Sequence, residues 1–272
     1  GSEMCIRDRG NTNEYFGGIA EGEPLYQVVA FKMKHIIRTP EQLAAAIYDS
    51  YSKGYNPDDG TTVKGRKNMG DYEWVNRPGT TKAVVNGEEV EQINSEDKFV
   101  IGYSVPHSTG GFSNTFRYKG LSLNVYLDWA IGHTIRHAQM ARQFINTFTG
   151  NTALNAGVLD TWSPQNPDAK YARFYSGGES VSANFKNDSD VFAFKGDYLC
   201  IRELSLAWDL PKKFVSKLGM QGASITLAGN NLHYFTAVPG VSPEVGTMST
   251  NAAGYNNYPP IRRISLGIRA IF

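Results

Sequence analysis

Leu121-Ser122-Leu123-Asn124-Val125-Tyr126-Leu127-Asp128-Trp129-Ala130-Ile131 decides the fold class. Every odd position is apolar, and Ser122, Asn124, Tyr126, Asp128 and Ala130 stand between them. Successive side chains of a strand point to opposite faces, so this segment has one apolar face and one wet face. Its length of about 11 residues suits a tilted membrane-crossing strand, whereas strands of soluble proteins run closer to 5 or 6.

The same period of two recurs on both sides of it. Phe112, Phe116 and Tyr118 alternate with Ser113, Thr115, Arg117 and Lys119, and Asn114 is the exception on the apolar side. Leu204, Leu206 and Trp208 alternate with Glu203, Ser205 and Ala207; Ala223, Ile225, Leu227 and Gly229 alternate with Ser224, Thr226, Ala228 and Asn230. Ile264, Leu266, Ile268, Ala270 and Phe272 close the chain in the same rhythm, and a weaker strand is expected at Leu25 to Lys32. About six strands are expected in all, each needing neighbours to satisfy its backbone groups.

The links between these strands sort into two kinds. Lys119-Gly120 is a very short turn, and Pro211 to Gly222 is a compact link with a short helix expected over Lys212 to Leu218, stopped by Gly219. Lys34 to Gly111, His133 to Asp197 and Leu232 to Ile261 are long. Short and long links alternate, which places every long loop at one end of the strands, as in transmembrane barrels with short periplasmic turns and long external loops. Within the first loop, Thr39-Pro40-Glu41-Gln42 reads as a capped helix start, continuing through Leu43 and Tyr48 towards Gly54.

Composition agrees with a β-rich chain. Gly at 28 residues, Tyr at 15 and Phe at 14 stand against 19% charged residues among 272. A mean hydropathy of −0.37 is too polar for a helical membrane protein, and no run approaches the roughly 18 to 20 apolar residues of a spanning helix. The 27 basic and 26 acidic residues nearly cancel, which argues against a nucleic-acid partner. Cys5 and Cys200 support neither a disulfide framework nor a metal spacing. Gly1 to Arg9 has neither the apolar run of a signal peptide nor a strand pattern and is expected to be a non-native scar, with 10–272 a single incomplete domain.

Gly196-Asp197-Tyr198-Leu199 through Leu210-Pro211-Lys212-Lys213-Phe214 resembles a stretch near the end of the SusC/RagA family of TonB-linked outer-membrane receptors, with Cys200 where that family has Arg and the Arg displaced to Arg202. Ala228-Gly229-Asn230-Asn231-Leu232 is similar to the family's Gly-x-Asn-Leu strand end, and Pro239-Gly240-Val241-Ser242-Pro243-Glu244 to its Asp-Pro-Glu loop, with Ser for Asp. Tyr258-Pro259-Pro260 to Gly267 and the terminal Phe272 resemble its ending; Phe99 to Pro106 and Tyr118-Lys119-Gly120 are also family-like. Gly70-Asp71-Tyr72 sits where the family has a Gly-Asp-Ile stretch before an acidic Asp/Asn-rich turn, and Trp74 to Gly79 departs from that turn.

The resemblance covers most of the chain from about Glu23. It implies an all-β, antiparallel transmembrane β-barrel fragment: an open curved sheet of about six or more strands with long external loops and one short loop helix. Residues 10–272 would then be the C-terminal portion of a receptor whose plug domain and earlier strands lie outside this sequence, the complete barrel having roughly 22 strands. It implies nutrient uptake, of oligosaccharides or other ligands, through the outer membrane of a Gram-negative bacterium, with the TonB complex, a SusD-type surface lipoprotein and outer-membrane lipid as partners. The alternative is a soluble β-sandwich that binds carbohydrate.

No cofactor is implied and no catalytic group emerges. His133 and His137 are spaced four apart but directly follow a strand, without a carboxylate to complete a metal set, and Asp58-Asp59-Gly60 lacks a calcium-loop ligand series. No Ser/His/Asp arrangement, phosphate-cradling glycine loop or carboxylate pair points to an enzyme. Loop aromatics carry the ligand-binding expectation: Trp162, Tyr171 and Tyr175 in the middle loop, and Tyr255 with Asn256 in the last, because sugar rings stack on aromatic faces while amides take their hydroxyls. Loop packing would use the same rings. Trp129, Trp208 and Tyr118 are expected at the lipid–water boundary. Phe272, with Ala270 and Ile268 on the same parity, resembles the terminal assembly signal of outer-membrane barrels.

Overall fold

The computed structural model describes residues 26–49, 52–55, 62–79, 82–85, 87–145, 156–174, 184, 188–244 and 260–272. Among the described residues nine short strands precede the main sheet. β1 (Gln27–Phe31) pairs antiparallel with β9 (Lys98–Tyr103), β2 (Met33–Ile36) with β6 (Tyr72–Trp74), and β4 (Lys53–Tyr55) with β5 (Thr62–Lys64). β8 (Glu88–Ile93) lies between β7 (Lys82–Val85) and, in parallel, β3 (Tyr48–Asp49).

The main sheet is an antiparallel meander of five strands: β10 (Ser108–Tyr118), β11 (Leu121–Ile131), β14 (Tyr198–Asp209), β15 (Gly222–Thr236) and β16 (Arg263–Ile271). β12 (Thr134–Arg136) and β13 (Ala193–Lys195) pair separately within the long link from β11 to β14. The alternating segment at Leu121 to Ile131 is β11 to the residue. Among the described residues the sheet does not close, and β10 and β16 are its two edges.

Register puts both short links at one end. Lys119 and Gly120, each at positive φ, turn β10 into β11, and the Asp209 amide donates to the Gly120 carbonyl at 2.8 Å. Between β14 and β15, α3 (Lys212–Val215) and a 3₁₀ turn at Ser216–Leu218 end on Gly219 at φ 72°, as the sequence predicts. The 132–197 and 237–262 links leave from the opposite end, hereafter the loop end.

Several expectations need correction. The five-stranded sheet has one strand fewer than the six expected, because the segment at Leu25 to Lys32 forms β1 and joins β9 instead. β15 runs on to Thr236 instead of stopping at Asn230. α1 (Pro40–Ala44) has the expected capping box on Thr39 and Gln42 but stops far short of Gly54. There the Ile47 amide donates to Glu73 Oε1 and the Asp49 amide to the Gly65 carbonyl, so tertiary partners take over backbone groups that helix propensity would have used. Nor is α1 the single loop helix, since α2 (Ala138–Ile145) lies in the middle loop.

The core lies in the loops. Phe31, Ile36, Tyr72, Trp74, Ile93, Phe144 and Phe192 belong to one buried cluster built from the long links, β1 and β2. Its rings interlock, with Phe144 and Phe192 centroids 5.4 Å apart and Tyr72 and Trp74 also 5.4 Å apart. Two sets of polar groups beside it are matched: Lys67 Nζ meets Glu73 Oε2 at 2.8 Å, and Asn184 takes the Tyr72 amide while donating to Asp71 at 2.8 Å.

Candidate functional site

The exposed face of the five-stranded sheet is the first candidate. Register aligns Phe116, Leu123, Leu206, Leu227 and Leu266 in one row across all five strands. The next row towards the short turns holds Tyr118, Leu121, Trp208, Ile225 and Ile268. These side chains are not covered: Phe116 is 54% exposed, Leu206 45% and Ile268 76%. Such a contiguous apolar sheet face is unusual for a surface in water and marks an interaction surface.

On the other face, the rows are wet. Thr115 Oγ1 donates to Asn124 Oδ1 at 2.8 Å, and Asn124 lies opposite Ser205. The rim aromatics fall at the two ends of the apolar band. Tyr118 and Trp208 share the short-turn row, and Trp129 lies on the same strand as Leu121 but eight steps on, roughly 27 Å at the usual rise per residue. Its indole covers Gly110, where an added Cβ would come within 2.2 Å of the ring. Phe272 stands beyond the last ladder pair, Gly222–Ile271, and is 80% exposed. Ala270 and Ile268 pair with Ala223 and Ile225 on the apolar parity.

The second feature is a charged node that sequence reading missed. Between the pairs Tyr126–Glu203 and Leu127–Ile201, Arg202 has no opposite number on β11; between Glu203–Asn230 and Ile201–His233, β15 sets two residues, Asn231 and Leu232, against Arg202 alone. Two adjoining bulges thus twist the wall just below the loop end and turn Arg202 to the wet face. Asn231 absorbs the irregularity at φ 51°.

Arg202 grips Asp128 with Nε at 2.9 Å and Nη2 at 2.7 Å. Nη1 donates to Asn231 Oδ1 and to the Tyr234 hydroxyl, and Nη2 also pairs with Glu244. Glu244 ends the Pro239–Glu244 loop, so the node ties that loop to the wall. A planar fork with five donors suits this multiple grip, which lysine could not reproduce. The signal was legible: counting back by twos from Leu204 puts Arg202 on the apolar face, a parity break that a bulge resolves.

The same loop covers the two histidines. His133 and His137 are buried, with Nε2 of each facing the carbonyls of Pro243 (3.4 Å) and Pro239 (3.1 Å). Burial lowers both pKa values below the ordinary 6.5, against the opposing pull of those carbonyls. Among the described residues no three metal-binding side chains gather, and the histidines serve as loop supports.

Of the expected ligand-binding residues, Trp162 and Tyr171 come together, but inside the loop core. They are 8% and 7% exposed; Tyr171 packs on Phe144 with tilted rings 4.8 Å apart, and Trp162 lies against Gly70, whose φ of 88° and missing Cβ make room for the indole. Their rings pack the loops together and present little face to a ligand. Tyr175, Tyr255 and Asn256 lie outside the described residues, as does the turn at Asp58-Asp59-Gly60. Cys200 is buried opposite Asp128 on the wet face.

Known proteins resemble this chain over most of its length. TonB-dependent receptor P3 of Formosa agariphila is 26% identical over 230 residues, 82% of this chain and 21% of the relative. TonB-dependent receptor P26 of the same bacterium is 30% identical over 197 residues, 69% of this chain and 19% of the relative. The chain therefore spans about a fifth of the length of these relatives. No family model matches the sequence. Among solved structures, that of the RagAB peptide transporter superposes with a TM-score of 0.55 at 21% identity, over 80% of this chain and 24% of that one. The RagAB peptide importer in its closed-closed state gives 0.54 at 22%, over 80% of this chain and 25% of that one. The motifs, the named relatives and the fold agree: this chain is a relative of the TonB-dependent receptors, of the RagA kind in its fold.

Proposed function

We propose that the chain is a length of barrel wall with its external loops, part of an outer-membrane receptor that imports nutrient ligands with energy relayed through TonB. The uncovered apolar rows from Phe116 to Leu266 support this reading best. In hydrocarbon those rows need no cover, whereas a soluble sandwich would lay a second sheet over them, and none does so among the described residues. The free edges of β10 and β16 would join further strands of the same barrel, because an open edge in lipid leaves backbone groups unsatisfied.

The ligand class is oligosaccharide or peptide. Tyr175, Tyr255 and Asn256 would suit sugars, and the RagAB structures belong to a peptide transporter. A SusD-type lipoprotein would cap the loop end, and the TonB complex would act through parts of the receptor beyond this chain. Phe272 with Ala270 and Ile268 would be the assembly signal, and Trp129, Trp208 and Tyr118 the two girdles.

The test deletes Phe272 from the full receptor. Surface level should fall severalfold relative to wild type, with the missing receptor degraded or retained in the periplasm. Uptake of a labelled oligosaccharide or peptide should vanish on loss of TonB. Unchanged surface levels would refute the assembly role, and TonB-independent uptake would refute coupled import.

A further inference from the structure

The link between β14 and β15 ends in a surface that the fold leaves bare. α3 and the following turn bury Val215, at 2% exposure, and present Phe214 at 73% and Leu218 at 69%. The two lie four residues apart in this short link. Lys212, Lys213 and Lys217 are exposed around them, and among the described residues none of the three has a carboxylate in ion-pair reach. The link is not a loose excursion: the Leu210 amide bonds the Ala223 carbonyl at 2.9 Å, the Met220 amide the Val215 carbonyl at 3.2 Å, and the Gln221 amide the Ile271 carbonyl at 2.6 Å. It is therefore fixed beside the end of β16, at the level of Trp208 and Phe272, where the apolar band stops.

Resting on the membrane reading above, we propose that this turn is a basic–aromatic anchor that docks on anionic phospholipid headgroups at the short-turn rim of the barrel. Two observations select that occupant. The bare Phe214 and Leu218 belong to a link whose two ends are bonded to β15 and β16 at the short-turn end, where the apolar rows stop, so a membrane around the rows would have its boundary near them. The three exposed lysines supply the charge that a phosphate surface complements. A ring, an aliphatic side chain and clustered lysines are the composition of segments that lie in a membrane interface.

The experiment places the full receptor in nanodiscs of phosphatidylcholine alone, or of phosphatidylcholine with one part in three phosphatidylglycerol. Amide exchange is followed over residues 211–221, and a fluorophore on Leu206→Cys reports quenching by brominated acyl chains. Phosphatidylglycerol should slow exchange in the turn by about tenfold, and high salt should reverse the slowing. The combined Lys212→Gln, Lys213→Gln and Lys217→Gln variant should lose this lipid dependence while quenching at position 206 stays unchanged. Phe214→Ser should speed exchange in both lipids. Equal exchange of the wild-type turn in the two lipids, with position 206 still quenched, overturns the anchor alone. An unquenched position 206 overturns the membrane reading and the anchor with it.

Discussion

The five-stranded wall and the loop assembly above it treat apolar side chains in opposite ways. In the loops, Trp74 and Phe144 are wholly buried and Tyr72 nearly so, and their polar neighbours are matched in pairs such as Lys67–Glu73. In the wall, Leu206, Leu227 and Leu266 stand bare in register across three strands. Folding in water produces the first pattern, since burial is what drives it. The second is stable only where the surroundings are themselves apolar. One chain thus carries two solutions to one problem: the loop core excludes water with its own side chains, and the wall, on the function proposed above, leaves that task to lipid.

Truncation in the two regions should therefore cost different amounts. Phe144→Ala leaves a cavity that rigid neighbours cannot fill, and should destabilise the loop assembly by roughly 3–5 kcal/mol. Leu206→Ala on the wall should cost about 1 kcal/mol, because lipid fills the vacated space and no cavity term arises. Unfolding of both variants in lipid micelles, followed by tryptophan fluorescence, measures the difference; equal losses would erase the distinction between the regions. The converse substitution sharpens it. Val125→Arg on the apolar face should cost roughly 2–4 kcal/mol near the bilayer midplane, while Asn124→Arg next to it should be mild. Equal effects at 124 and 125 would leave no lipid face to argue from.

Much of the wall was legible because a period of two over long segments has few other meanings. β11 follows from its alternation alone, and the sorting of short and long links follows from strand parity. The loops were not legible in the same way. Their strands are short, and pairs such as β3 with β8 depend on contacts far apart in sequence, which local propensity does not register; α1 stopped early for that reason. Trp162 and Tyr171 looked like ligand rings because composition cannot tell an aromatic that faces solvent from one that packs on Phe144. The Arg202 node fell between the two regions. Asp128, Arg202 and Glu244 were each in view, but only the bulge at Arg202 brings them together.

The node is where wall and loops are joined, and breaking it should cost less than the Phe144 truncation. Arg202→Gln leaves Asp128 and Glu244 without their shared cation. A fully buried pair would lose 3–5 kcal/mol, but these side chains keep about a quarter of their surface in water, so roughly 2 kcal/mol is expected. Amide exchange should rise in residues 239–244 and stay unchanged in the middle of β11. Faster exchange in both would show that the node supports the wall as a whole instead of tying down the loop.

The smallest effect is a pH dependence of the same loop. Burial holds His133 and His137 neutral, with pKa values below 6.5, while in the unfolded chain each titrates near that value. Below pH 6.5 the unfolded state therefore binds protons that the folded state does not. Stability is full above that pH and falls as the solution is acidified towards the folded pKa values. Neither carbonyl facing the rings can reverse the sign, since both raise the pKa and burial outweighs them. Lowering the pH from 7.5 to 5.5 should speed exchange over residues 239–244, and replacing both histidines with Asn should remove the dependence. Asp190, whose carboxyl is pushed up from 3.8 by burial, contributes with the opposite sign and chiefly at lower pH, so it does not mask the histidines in this window. A loop that tightens on acidification would mean that protonated imidazoles bind the Pro239 and Pro243 carbonyls more strongly than burial penalises them, and the loop would then be an acid-strengthened contact between wall and cap.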